Sequence, residues 1–276
     1  MSKLRTLALL AGGAGAAYLM RRKLDELGPQ APAVDKDTVQ LLQFDYSPFC
    51  AKIRHVLDYK GIPYTTVELP PIVHKSMSRR LSGQVKVPYI RHNDQVVADS
   101  SSIARYLEET FPEKPILPAD PALREQVLLL EDWLDESLQP ALGKMAYLYL
   151  YLHPQLAIDD PNISTGVDLL DRNKDKLVPL MLGMSVRKNN LSAADMPKLE
   201  ERLNEVLRRL QGQLKGRDHL VGDSMTLADL TLLGHLSSAR LLPELKANPR
   251  WQWLFDWQDK TLATIQAGHK VSTPAS

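Results

Sequence analysis

The sequence predicts a small α/β domain followed by an all-helical domain, and three observations predict it. Between Thr38 and Phe111, short β-type runs alternate with helical periods. From Pro121 onward only helical periods recur. Between the two lies "PEKPILPADPA", a short Pro-rich connection that predicts fixed docking rather than free tumbling. The predicted layout is an apolar segment over 1–27, a linker over 28–37, the α/β domain over 38–111, a linker over 112–121, the helical domain over 122–268 and a tail over 269–276.

In the first domain, "TVQLLQFDY" is a short strand. "CAKIRHVLDYKG" puts Cys50, Ile53, Val56 and Leu57 on one helical face, and Gly61 is a natural stop. "YTTVEL" is β-branched and aromatic, hence strand. "VPYIRHNDQVVADS" reads as a hairpin turning at Asn93-Asp94. "SSIARYLEETF" returns to helix, so the order is β-α-β-β-β-α in one sheet with helices packed on it. In the second domain, "LREQVLLLEDWLDESLQPALGKMAYLYLYL" is a long helix that Pro140 kinks or divides. The alternating "YLYLYL" belongs to that helix by context. "PKLEERLNEVLRRLQGQL" aligns Leu199, Leu203, Val206, Leu207, Leu210 and Leu214, with Pro197 suited to its first turn. "TLADLTLLGHLSSARLL" and "PRWQWLFDWQDKTLATI" are two more helices. Asp159 to Asp195 yields no clear element.

The amino-terminal "MSKLRTLALLAGGAGAAYLMRRKLDELG" is uncharged from Thr6 to Met20 and flanked by basic residues. A spanning helix needs roughly 20 apolar residues, so residues 4–20 are short but could span a thin bilayer with snorkelling ends. The first expectation is a single membrane anchor, with Arg21, Arg22 and Lys23 keeping the domain on the cytoplasmic side. The alternatives are a cleaved presequence, mitochondrial or exported, and a frayed soluble helix.

Composition narrows the function classes. The 276 residues carry a formal net charge of +1, which gives no pull toward nucleic acid. One cysteine excludes an internal disulfide. No phosphate-binding loop is present. His55, His74 and His92 lack ligand spacing, so no metal site is expected.

Four short stretches carry candidate chemistry. In "YSPFC", Ser47 suits an N-cap and Pro48 the first helical position. Locally that is explanation enough, with Cys50 a small buried apolar residue. The functional reading uses the same geometry: a helix amino terminus and the Ser47 hydroxyl stabilise a thiolate. Cys50 lies one turn inside on the apolar face, so that thiolate would belong to a ligand. In "KVPYI", Pro88 reads locally as a trans proline opening a strand, and a cis Val87-Pro88 bond would instead expose the Val87 backbone groups. In "ADSSSI", Ser100 or Ser101 reads as an N-cap. The functional alternative has Asp99 hold an ammonium and Ser100 a carboxylate. In "SMTLADL", Thr226 and Asp229 have capping-box spacing, with Met225 and Leu230 placed as a hydrophobic staple.

Taken in order and spacing, "SPFCAKIRHVLDYKGIPY", "KVPYI", "ADSSSIARYLEETFP" and "LVGDSMTLADL" resemble the glutathione transferase superfamily over Thr38 to Ile265. The resemblance implies a thioredoxin-like β-α-β-β-β-α domain followed by a helical bundle. It implies glutathione as co-substrate, a small electrophile as second substrate, and a homodimer. Ser47 falls at the catalytic position, with Tyr46 an alternative donor and Cys50 at the second cysteine of a glutaredoxin-like pattern. Val87 falls where backbone groups pair with the cysteinyl part of glutathione, beside a cis-proline, Pro88. Asp99 and Ser100 fall on the pair that holds the γ-glutamyl end, with Asp standing where Glu is commoner. His74 and Lys75 lie in the loop that meets the glycine carboxylate. The electrophile is expected between the domains, over the helix bearing Tyr147, Tyr149 and Tyr151. Two other functions fit the same residues: a non-catalytic scaffold at a membrane, and a thiol-disulfide oxidoreductase working through Cys50.

Overall fold

A computed structural model describes residues 37–69, 78–79, 83–160 and 171–270. The apolar segment at 1–27, the loop residues His74 and Lys75, and 161–170 lie outside the described residues.

The first domain is a four-stranded mixed sheet with helices packed on it. The strands are β1 (Val39–Gln43), β2 (Tyr64–Glu68), β3 (Tyr89–His92) and β4 (Gln95–Ala98), in the order β2-β1-β3-β4. β1 runs parallel to β2, whereas β3 is antiparallel to both β1 and β4. All five residues of β1 are buried, as befits a central strand covered on both faces. Val39 and Leu41 face the main core, and Leu42 joins Val67, Leu69 and Tyr89 on the opposite face. Asn93 and Asp94 turn the β3-β4 hairpin with φ of 49° and 61°, the left-handed pair that a two-residue loop needs.

Helix α1 (Pro48–Lys60) begins at the Ser47 N-cap and ends on Gly61, whose φ of 71° is free of side-chain strain. Helix α2 (Ser100–Thr110) corrects one expectation. Its N-cap is Asp99, not Ser100 or Ser101: the Asp99 carboxylate accepts from the Ser102 N–H at 3.0 Å. Val87-Pro88 is cis, as the resemblance implied and against the local expectation of a trans bond.

The connection between domains is tied down, as its shortness predicted. Glu108 accepts from the backbone N–H groups of Ile116 and Leu117, and Lys60 Nζ reaches Glu108 at 2.7 Å. The Leu227 N–H donates to the Ile116 carbonyl at 2.8 Å, tying the linker to the second domain.

The helical domain opens with α3 (Pro121–Trp133), passes through a π-helical turn at Leu134–Leu138, and continues as α4 (Gln139–Leu152). Pro140 has no N–H to give the α-helical ladder. The chain absorbs this by an i→i−5 bond from Gln139 N to Leu134 O. "YLYLYL" is helical, as its context required. The short α5 (Gln155–Ile158) precedes the stretch without a predicted element, which contains α6 (Lys174–Lys188) and a 3-10 turn at Ala193–Asp195. Pro179 early in α6 hid it, because an interior proline reads as a breaker. Next come α7 (Met196–Leu214) and α8 (Leu227–Leu236). The short α9 (Pro243–Ala247) and the long α10 (Gln252–Lys270) complete the described chain.

Every residue of α8 is buried, so it is the central helix of the domain. Its capping box is present: Thr226 N and Oγ1 both donate to Asp229 Oδ2. Asp229 Oδ1 also takes the Leu220 N–H at 2.8 Å. One core spans both domains, from Ile53 and Leu57 of α1 to Leu230 and Leu233 of α8.

Candidate functional site

The sheet register assembles the candidate site. Leu42 pairs with Tyr89, and Tyr89 with Ala98. One step beyond that row lie the β1–α1 loop with Ser47, the cis Val87-Pro88 bond, and Asp99-Ser100 at the start of α2. Segments some fifty residues apart therefore meet at one edge of one sheet. His74 and Lys75 belong to a loop outside the described residues.

Ser47 is half-buried, with φ −78° and ψ 124°, and its Oγ accepts from the Cys50 N–H at 3.4 Å. The hydroxyl also lies against the Cys50 sulfur, and its rotatable hydrogen can turn from there toward a ligand. No acidic residue occupies the first turn of α1, so the positive end of the helix is not neutralised from within. Cys50 is fully buried, and burial pushes its thiol up to about 11 despite the Ser47 hydrogen bond. It stays a protonated core residue at neutral pH. Burial, reinforced by Tyr147 and Glu68, raises the Tyr46 phenol well above its ordinary value. Its ring stacks on Phe44 at 5.4 Å.

Asp99 has φ 77°, an unusual conformation for a residue with a side chain. Its Oδ1 is used by Ser102 N. Ser100 is buried at the first position of α2. Val87 packs on the Leu42, Val67, Leu69 and Tyr89 cluster.

The three tyrosines of α4 separate. Tyr147 lies close enough to Tyr46 to influence it, on the Ser47 side. Tyr149, two residues on, leaves the helix about 200° away. It faces a cavity of about 310 Å³ lined by Met145, Leu203, Leu245 and Trp251, and donates to Glu244 at 3.4 Å. Tyr151 lies against α6, its ring 3.5 Å from where a side chain on Gly183 would begin.

Sequence reasoning missed a buried polar network beneath the site. Lys52 of α1 is fully buried and its Nζ binds Glu131, Asp135 Oδ2 at 2.9 Å and Ser101 Oγ at 3.4 Å. Asp135 Oδ1 meets His235 Nε2 of α8 at 2.6 Å. Burial would raise the Asp135 pKa, but its bonds to His235 and the Lys52 charge outweigh that and hold it below the usual range. Burial pushes the His235 pKa down, against the opposing pull of the Asp135 carboxylate. Phe49, within "SPFC", meets the His235 ring edge-on at 5.3 Å. The available sequence signal was Glu131 and Asp135 four residues apart on one helix face.

A serine-capped helix, a cis-proline and an acidic-Ser turn at one sheet edge, docked through a shared core to a helical bundle, define a thioredoxin-like domain joined to an all-helical domain. Known proteins agree with that class. The family described as "Glutathione S-transferase, N-terminal domain" matches residues 41–115, and "Glutathione S-transferase, C-terminal domain" matches residues 174–253. The chain belongs to the glutathione S-transferase superfamily.

Among curated relatives, "Glutathione S-transferase U2" of Arabidopsis thaliana is 32% identical over 109 residues, covering 39% of this chain and 48% of the relative. "Probable glutathione S-transferase" of Nicotiana tabacum is 36% identical over 100 residues, 36% of this chain and 44% of the relative. The chain thus spans about half the length of the curated relatives it matches. Two solved structures share the fold. The human theta-class glutathione transferase, in complex with the glutathione conjugate of 1-menaphthyl sulfate, superposes with a TM-score of 0.60 at 20% identity, covering 85% of this chain and 86% of that one. Beta-etherase LigF from Sphingobium sp. strain SYK-6 gives 0.55 at 21%, covering 79% and 99%.

Proposed function

We propose that the protein binds glutathione at the Ser47 edge of the sheet and transfers its thiolate to an electrophilic small molecule. The observation that carries this reading is Ser47 itself. Its hydroxyl caps α1 by accepting from Cys50 N, and its rotatable hydrogen can turn from the buried Cys50 sulfur to a ligand at the positive end of a 13-residue helix. A thiol placed there releases its proton to solvent, and the hydroxyl and free N–H groups hold the resulting thiolate. The sulfur lone pair then forms a carbon–sulfur bond as the electron pair of the bond it displaces leaves with the departing group. Ser47 donates a hydrogen bond and takes no proton.

The remaining assignments follow the ends of the tripeptide. The Val87 backbone groups pair with the cysteinyl unit. Asp99, with Oδ1 committed to Ser102 N, offers its other oxygen to the γ-glutamyl ammonium. Ser100, at the start of α2, meets the carboxylate beside it. His74 and Lys75 meet the glycine end. The electrophile sits beside Tyr46 and Tyr147, which leaves Tyr149 and Tyr151 with other partners. The burial of Cys50 speaks against the thiol-disulfide reading.

Two copies pair, as the family resemblance implies, and residues 4–20 tether the chain with its domains on the cytoplasmic side. Calorimetric titration of reduced glutathione into the protein tests the site. Saturable binding that is lost in Asp99→Ala supports it. Absence of binding in the unaltered protein sinks it and leaves the scaffold reading.

A further inference from the structure

Helix α6 carries an outward ridge that the proposed chemistry does not use. Among the described residues, eight large hydrophobic side chains are exposed, and two of them, Leu180 and Met184, lie on α6, with Tyr151 of α4 against the same helix at Gly183. Leu180 is 61% exposed and Met184 55%. The inner face of α6 is satisfied, with Val178 and Leu182 packed on Leu150 and Ala157. The outer apolar residues are therefore surplus to folding.

The ridge has ordered charge. Lys176, Leu180, Met184 and Arg187 fall within about 80° of one another on a helix of 3.6 residues per turn. All four are exposed, so the stripe reads basic, apolar, apolar, basic from end to end. Neither Lys176 nor Arg187 makes an ion pair among the described residues. Lys174 and Lys188 lie at the two ends, with Asp175 in the first turn about 100° round the helix from Lys176.

We propose that this ridge docks the protein on an anionic lipid surface, with Leu180 and Met184 entering the headgroup boundary and Lys176 and Arg187 meeting lipid phosphates. Charge decides between occupants. In a two-fold pairing with a second copy, the same patch meets itself head to tail, which sets Lys176 against Arg187 and repels. An anionic bilayer satisfies both ends at once and accepts apolar side chains between them. The ridge lies on the surface rather than spanning it: no helix among the described residues is long and apolar enough to cross a membrane. The docking rests on α6 alone and does not depend on glutathione binding or on residues 4–20.

The test uses the full chain. Its only thiol, Cys50, is fully buried, so a polarity-sensitive fluorophore can be attached selectively at Leu180→Cys, with Gln211→Cys on the exposed face of α7 as a control. Vesicles of phosphatidylcholine with one part in four phosphatidylglycerol should blue-shift the label at position 180 and leave the label at 211 unchanged. Pure phosphatidylcholine vesicles should give no shift. Adding Lys176→Gln and Arg187→Gln should lower partitioning about thirtyfold, given the usual contribution of each basic residue at an anionic surface. A label at 180 that stays in water in the presence of the anionic vesicles overturns the proposal. A shift that grows with protein concentration without lipid, or that needs an added protein, overturns it in favour of a second copy or a protein partner.

Discussion

At the scale of single residues, Ser47 and Cys50 divide roles that their neighbourhood in "SPFC" makes ambiguous. Ser47 is the N-cap of α1 and Cys50 lies in its first turn. Only one has access to solvent, because Cys50 is fully buried with its thiol raised to about 11. Ser47→Ala is expected to cut glutathione conjugation of 1-chloro-2,4-dinitrobenzene by about 100-fold, the scale of one lost donor to a developing anion, while glutathione affinity is retained. The same change removes an N-cap and should cost about 1 kcal/mol of stability. Cys50→Ala should leave turnover intact. Steady-state kinetics with a parallel urea titration separate the two effects, and full activity in Ser47→Ala would reassign the donor, with Tyr46 next in line. The sequence made this division legible because helical spacing alone places Cys50 on the apolar face. It did not reveal that Asp99 caps α2. Three serines follow Asp99, and their propensity competes for the same role. The decision is made by Asp99 entering at positive φ and aiming its carboxylate at Ser102 N.

At the scale of elements, α1 and α8 decide how the domains meet. A side chain on Gly234 would begin 2.5 Å from Lys52 N and 2.6 Å from Lys52 Cα, so the two helix backbones touch there. Alanine is the better helix former by about 1 kcal/mol, yet the obstacle here is backbone and cannot swing aside. Gly234→Ala should therefore destabilise, by about 1–3 kcal/mol or more as overpacking does. Gly212 of α7 has nothing within 4 Å of the same position, and Gly212→Ala should stabilise by about 0.5–1 kcal/mol. Denaturation midpoints of the pair read opposite signs from one substitution type. A neutral Gly234→Ala would contradict the close approach, and a destabilised Gly212→Ala the open space at that position. Elements with strong local signals were legible: the β-branched and apolar strand runs, the hairpin at Asn93-Asp94, Gly61 as a stop and the Thr226–Asp229 box. Helix α6 was not, because Pro179 and Gly183 interrupt its period and tertiary packing of Val178 and Leu182 outweighs both.

At the scale of the whole molecule, the two domains act as one body through buried charge as well as apolar contact. Lys52 belongs to the first domain, whereas Glu131, Asp135 and His235 belong to the second, at sequence separations of 79 to 183 residues. The local pattern shows only the Glu131–Asp135 pair on one helix face, since each member looks like a surface charge until the helices are docked. The consequence is an asymmetric response to mutation. Lys52→Met keeps the length of the side chain and removes its charge, leaving Glu131 and Asp135 facing each other out of water. A buried pair broken from one side costs about 3–5 kcal/mol, and both domains should lose stability in a single transition because the site is shared. Adding Glu131→Gln to Lys52→Met removes one of the stranded charges and should recover part of that loss, whereas Glu131→Gln alone should destabilise. The effect on the candidate site follows from position: Phe49, one residue before Cys50 in α1, rests on His235, so loosening the network should raise the glutathione dissociation constant without touching Ser47, Asp99 or Ser100. Guanidinium titrations followed by far-ultraviolet circular dichroism and by tryptophan fluorescence decide the matter. All four tryptophans, at 133, 251, 253 and 257, lie in the helical domain. A Lys52→Met protein whose fluorescence transition is unmoved would mean that the helical domain stands without the network, and that the apolar contact of α1 with α8 alone joins the halves.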